Sequence, residues 1–163
     1  MRTVTLRDAT HDDKAAIRDL NTRTFGRENE AGLIARLEAD GDVLMQMLAL
    51  MDEQVIGHVL FYPVRVFGKL GASGLGPMSV DPWVQREGVG TTILNNALKH
   101  LQSVGMPIVF VLGHPAYYAR FGFTEATAKP FEAPWTGPNF MAARLRHGPP
   151  MSGRLIFPAA FEV

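Results

Sequence analysis

The stretch from residue 75 to residue 103 does most to limit what this chain can fold into. An apolar run from Leu75 to Val80 is stopped by Pro82, and Gln85-Arg86-Glu87-Gly88-Val89-Gly90 then opens a segment in which Val89, Ile93, Leu94, Ala97, Leu98 and Leu101 recur at helical spacing. A strand feeding an amphipathic helix through a glycine-bearing turn needs a sheet for the helix to pack on, which points to an α/β architecture. The first N–H groups of such a helix have no intrahelical partner and lie at the positive end of its dipole, so the turn can receive an anion. Gly88 and Gly90 lack Cβ atoms and would let a bulky phosphate come close to the backbone. The competing reading is a tight turn into a surface helix. Neither a Gly-x-x-x-x-Gly-Lys-Ser/Thr loop nor a Gly-x-Gly-x-x-Gly order occurs.

The 163 residues, 47% of them hydrophobic, suit one compact domain. Sixteen Lys and Arg balance sixteen Asp and Glu, so no basic field draws nucleic acid or an anionic membrane, and neither is expected as a partner. The absence of cysteine excludes disulfides, thiolate metal sites and cysteine nucleophiles. No His-Glu-x-x-His or Gly-x-Ser-x-Gly appears, and no metal is expected. The amino terminus alternates polar and apolar residues instead of building a signal peptide, and the longest apolar run, Val43 to Met51, is far short of the ~20 residues that span a bilayer. These features suggest a soluble, cytoplasmic protein.

Along the chain, a first strand precedes a helix over 12–24, capped from Thr10 to Asp13, with Ala15, Ile17 and Leu20 toward the core. A second helix covers 28–39. Val43 to Met51 and Gln54 to Phe67 form a hairpin about Asp52-Glu53, apolar enough to be covered on both faces. Gly68, Gly71 and Gly74 are expected in a loop before a strand over 75–80. A helix over 88–103, a strand over 107–112, a short helix over 117–121 and strands over 123–126 and 139–145 follow, the last two separated by a proline-rich loop. The order implies a mixed sheet flanked by helices. The tail after Arg146 is expected to add an edge strand or an oligomer contact.

Gln85-x-x-Gly88-x-Gly90 after Val80-Asp81-Pro82 resembles the acetyl-CoA pyrophosphate loop of the GCN5-related N-acetyltransferase (GNAT) superfamily. Gly113-His114-Pro115-Ala116-Tyr117-Tyr118-Ala119-Arg120-Phe121-Gly122-Phe123 is similar to that superfamily's second signature, a short helix ending in Gly-Phe with a tyrosine four residues before the glycine. The resemblance covers residues 3–146, leaving 147–163 as a C-terminal extension packed on the same domain. It looks most like a bacterial subgroup of predicted acetyltransferases. It implies the GNAT fold, with a mostly antiparallel sheet whose fourth strand is splayed from the fifth, and direct acetyl transfer from acetyl-CoA to a primary amine of a small-molecule or peptide acceptor.

The same resemblance implies the site residues. The pyrophosphate would lie on the backbone of Gln85, Arg86, Glu87, Gly88, Val89 and Gly90, with Thr91 and Thr92 hydroxyls as further donors and Met78 and Val80 offering backbone to pantetheine. Alignment with the second signature selects Tyr118 as general acid. A phenol near pKa 10 stays protonated at neutral pH and can donate to a thiolate whose thiol is near 8.5. Spacing alone does not choose between Tyr117 and Tyr118, and either also fits as an amphipathic wall of the core. The fourth strand holds no glutamate, so Glu28 and Glu30 are the candidate bases, beside relay through water and beside a helix-stabilising role for acids in a first turn. His58 and His114 are proton-carrier candidates that fit equally as structural histidines. A non-catalytic acyl-CoA sensor or structural module is the rival function. The apolar tail and Met-rich strand 43–51 suggest a homodimer.

Overall fold

The computed structural model describes residues 3–162. Met1 and Arg2, at the start of the expected first strand, and Val163, at the end of the expected extension, lie outside the described residues. The chain forms two compact units, one from the residues up to Phe61 together with Gly76–Ala97, the other from Tyr62–Leu75 together with the residues from Leu98 onward.

In the first unit, β1 (Val4–Asp8), β2 (Met45–Met51), the first part of β3 (Gln54–Val66) and the last part of β4 (Lys69–Val80) follow one another in the sheet. β1 and β2 pair antiparallel from Val4↔Met51 to Asp8↔Met47, and β2 pairs antiparallel with β3. The β2–β3 turn is the expected two-residue one. Asp52 and Glu53 both have positive φ, at 52° and 64°, which matches the twist of a tight hairpin. β2 is paired on both sides, so the Met-rich run is an interior strand. The register shifts after Ala49↔Gly57 to Leu50↔Val55, which leaves Ile56 as an extra residue on β3. The Ile56 carbonyl accepts from the Asp81 N–H at 2.7 Å, where β4 ends.

The helix expected over 12–24 is α1 (Lys14–Phe25), entered through a 3₁₀ turn over His11–Asp13. Asp13 anchors that turn. Its carboxylate accepts from the Thr10 N–H at 2.7 Å and, through both oxygens, from Arg7 at 2.8 and 2.9 Å. Ile17, Leu20 and Asn21 are the buried face, whereas Ala15 is exposed, because the helix rotates that position outward. α2 (Asn29–Ala39) buries Ala31, Ile34 and Leu37. Met45, Leu48, Ala49, Ile56, Val59, Leu60 and Phe61 complete this core from the strands.

The second unit carries the sheet order β3-β4-β5-β7, from the remaining parts of β3 and β4, β5 (Ile108–Leu112) and β7 (Phe140–Arg144). β4 and β5 run parallel over only Ser73–Leu75, and β5 and β7 pair antiparallel. β4 begins at Lys69, so Gly71 and Gly74 are strand residues and not a loop. The Tyr62 ring lies where a Cβ on Gly74 would project, and a glycine there is a packing requirement. The expected strand over 123–126 is instead α5 (Glu125–Ala128), started by Thr124, whose Oγ1 accepts from the Thr127 N–H at 3.1 Å. Only Thr124 bridges a strand, at Ala142, because a capped Glu-Ala-Thr-Ala run favours helix. β6 (Phe131–Glu132) interrupts the proline-rich loop and pairs parallel with β8 (Gly153–Ile156), which also pairs with Arg65 and Val66 of β3.

α3 (Val89–Ser103) runs from the first unit into the second. Its six apolar positions, Val89, Ile93, Leu94, Ala97, Leu98 and Leu101, are all buried, as the periodicity predicts. No helix among the described residues is long and apolar enough to cross a membrane.

Candidate active site

The end of β4 and the turn after it form a compact hydrogen-bonded assembly in the first unit. Backbone groups alternate along a strand, and the Asp81 N–H is directed to β3. The backbone groups of Val80 therefore lie on the other edge of β4. There the Val80 carbonyl accepts from Thr24 Oγ1 at 3.3 Å and from Gln85 Nε2 at 2.9 Å. Asp81, itself buried, accepts from Arg23 Nη2 through Oδ2 at 2.8 Å and from the Trp83 N–H through Oδ1 at 3.1 Å. It caps the 3₁₀ turn Pro82–Val84 and ties the turn to the end of α1.

The chain then unwinds for four residues before α3. Arg86 and Gly88 have positive φ, at 69° and 85°. Gly88 is matched to that conformation, whereas a non-glycine residue is held there only when its surroundings require it. A Cβ on Gly88 would have no heavy atom within 4 Å. The backbone is thus open at the point where α3 begins and its first N–H groups lack helical acceptors. Such a cradle fits a phosphate or pyrophosphate group. Gly57 leaves room for the first residue of α3, since a Cβ there would lie 3.2 Å from Val89 Cγ1 and 3.2 Å from Ala49 Cβ. Gln85 was expected among the anion contacts. Its side chain is spent on Val80, which leaves its backbone for that purpose. The side chains of Arg86, Glu87 and Thr92 are exposed.

Glu28 and Glu30, the two acids named as bases, stand at the start of α2. Glu30 accepts from Arg27 at 3.0 and 2.6 Å, and these hydrogen bonds hold its carboxyl below its usual range. The Glu28 side chain is exposed and makes no ion pair or hydrogen bond among the described residues. His58 is fully buried with both ring nitrogens engaged, Nδ1 by Asn21 Nδ2 at 3.3 Å and Nε2 by Gln46 Oε1 at 2.7 Å. Asn21 Nδ2 can only donate, and its other hydrogen goes to the Ile17 carbonyl at 2.9 Å, so His58 Nδ1 accepts and Nε2–H donates. Burial lowers its pKa to about 3, so it is a neutral structural residue and not a proton carrier.

In the second unit, Tyr118 closes α4 (Pro115–Tyr118), and a 3₁₀ turn over Ala119–Phe121 carries on to Gly122, whose φ of 89° ends the segment. The helix expected over 117–121 is this pair of turns. The Tyr118 ring packs edge-on against Tyr117 at 5.0 Å and Phe123 at 5.7 Å. Burial, reinforced by Tyr117, pushes its pKa up to about 12. Its hydroxyl makes no hydrogen bond among the described residues, so its proton is available to a ligand. Tyr117 differs, with the Arg120 guanidinium 4.7 Å from its ring centroid. Gly113 opens the second signature, but sequence reasoning assigned it no role of its own. A Cβ there would fall 2.5 Å from Tyr118 Cε2, so this glycine makes the room in which the ring lies.

A family model described as acetyltransferase (GNAT) domain matches residues 5–126. The uncharacterized N-acetyltransferase YjhQ of Escherichia coli is 35% identical over 132 residues, 77% of this chain and 73% of that protein. YhbS of the same organism, also named an uncharacterized N-acetyltransferase, is 36% identical over 127 residues, 77% and 76% of the two chains. A crystal structure of YhbS in complex with CoA superposes with a TM-score of 0.91 at 31% identity, covering 100% of this chain and 94% of that one. A Brucella melitensis GNAT family acetyltransferase in complex with acetyl-CoA superposes at 0.83 with 28% identity, covering 99% and 100%.

Proposed function

The chain belongs to the GNAT acetyltransferase family, and from that premise we propose that it transfers an acetyl group from acetyl-CoA directly to a primary amine. The observation that carries this reading is the open backbone at Gly88, next to the positive-φ Arg86, at the start of an amphipathic helix with a buried apolar face, in a chain whose similar structures were solved with CoA and acetyl-CoA.

Backbone N–H groups from Gln85 to Gly90, with the Thr91 and Thr92 hydroxyls, hold the pyrophosphate. Met78 and Val80 hold pantetheine along the edge of β4 facing away from β3. At Val80 that contact is the N–H, because its carbonyl already has two donors. Acetyl-CoA supplies an activated acyl group with a thiolate leaving group. Tyr118 supplies the proton that the sulfur takes. A phenol at about 12 surrenders its proton to a thiolate near 8.5 only uphill, so it acts as the carbon–sulfur bond breaks and regains a proton from the ammonium formed on the amine. The inventory closes: the amine loses one proton and the sulfur gains one. Glu28, whose carboxylate is unpaired among the described residues, takes that same ammonium proton through water and returns it to the Tyr118 phenolate by way of solvent, while Glu30 is committed to Arg27. Residues 3–146 form the catalytic domain, with 147–163 as an extension packed on it.

The test is calorimetric titration with acetyl-CoA followed by a thiol-release screen against primary amines. Saturable binding and amine-dependent release are expected. Binding without release for any amine would favour a sensor, and absence of binding would remove the cradle from the function.

A further inference from the structure

In the second unit, the β6–β8 pair and the segment after β8 enclose a pocket of about 810 Å³, within the range of small-molecule sites. Its wall is aromatic. Trp135 and Phe157 meet edge to face at 4.6 Å, and Phe157 and Phe161 do so at 6.2 Å, so each ring is braced by the next. All three are only half-buried, which leaves ring surface open toward the pocket they line. Glu132 and Glu162 also line it. Both are exposed, and neither carboxylate has an ion pair or hydrogen bond among the described residues. Arg154, the register partner of Glu132, is the single cation of the lining and is likewise unpaired.

Ring faces carry the negative side of the aromatic quadrupole, and two carboxylates against one guanidinium leave the lining net negative. We infer that this pocket binds an organic cation, an ammonium carried on an apolar body, with the body against Trp135, Phe157 and Phe161 and the charge toward Glu132 and Glu162. An anion of the same shape would gain Arg154 and meet both carboxylates.

The chain has two tryptophans, and Trp83, 90% exposed in the first unit, can be removed as Trp83→Phe to leave Trp135 as the reporter. That variant is titrated, without acetyl-CoA, with 2-phenylethylammonium, 2-phenylethanol and 3-phenylpropionate, reading Trp135 emission and heat. The amine is expected to bind saturably and the alcohol about tenfold more weakly, with Glu132→Gln/Glu162→Gln erasing the difference. Equal binding of amine and alcohol, tighter binding of the carboxylate, or no saturable signal by either readout overturns the inference. Both substitutions are at exposed positions, so loss of fold does not confuse the result. Addition of acetyl-CoA separates two sources of the cation. An amine that is acetylated, with KM raised in the double variant, is the acceptor, and one that binds unchanged is a separate ligand. Because binding is read without acetyl-CoA, failure of acetyl transfer leaves this result standing.

Discussion

At position 113 the absence of a side chain is what admits the Tyr118 ring, and the proposed acid is therefore set by two residues. Gly113→Ala is expected to push the ring aside and lower kcat, with the acetyl-CoA dissociation constant unchanged. Tyr118→Phe removes only the proton and should cost about 10²-fold in kcat, again without a change in affinity. Tyr117→Phe, whose ring stands against Arg120, should cost much less. Single-turnover rates with a competent amine, beside calorimetry, check all three. A wild-type rate for Tyr118→Phe with chemistry limiting would transfer the proton to solvent. The glycines show what could be read in advance. Gly88 and Gly122 sit at positive φ, a local demand that turn and helix-end chemistry makes visible in the sequence. Gly74 and Gly113 answer to rings brought over them by the tertiary fold, Tyr62 and Tyr118, and no local pattern announces that.

Among the elements, the junction from β4 to α3 is held by Asp81 more than by its glycines. One carboxylate oxygen caps the turn and the other meets Arg23 of α1. Asp81→Asn places an amide N–H or a weaker acceptor before these donors, at a cost of about 1 kcal/mol in cap energy. If that cost falls on the geometry of the loop, acetyl-CoA affinity drops about fivefold. Titration beside a denaturant melt measures both, and unchanged affinity in a destabilised variant would mean that the loop keeps its shape unaided. α3 was readable because six apolar positions keep one period over fifteen residues and every one is buried. The start of β4 was not, since glycines that usually break a strand are here the residues that let Tyr62 pack. α5 was missed because a four-residue helix has too little periodicity to outweigh the β-branched and aromatic residues around it.

Over the whole molecule, two buried groups tie stability to pH in the same direction. His58 has its pKa lowered to about 3 by burial, against 6.5 for a free histidine, so between those values the unfolded chain takes a proton that the native chain refuses. That contribution is complete above the unfolded pKa and declines as the pH falls below it, by up to about 1.4 kcal/mol per unit for one proton. Asp13, held below its ordinary range chiefly by the Arg7 hydrogen bonds, adds stability above the usual carboxylate pKa that is lost as acid protonates it. Stability should therefore fall steadily from about pH 6.5 downward, first through His58 and then through Asp13. Denaturant melts across this range check it. His58→Gln should flatten the slope nearer neutrality and Asp13→Asn the more acidic part. Each unit, finally, is assembled from two separated stretches of chain. No single cut in the coding sequence releases either one as a continuous piece, which excludes exchange of a unit between genes by one recombination event. On the ribosome the first unit has all its residues once Ala97 has emerged, when the second still has only its Tyr62–Leu75 stretch outside the tunnel.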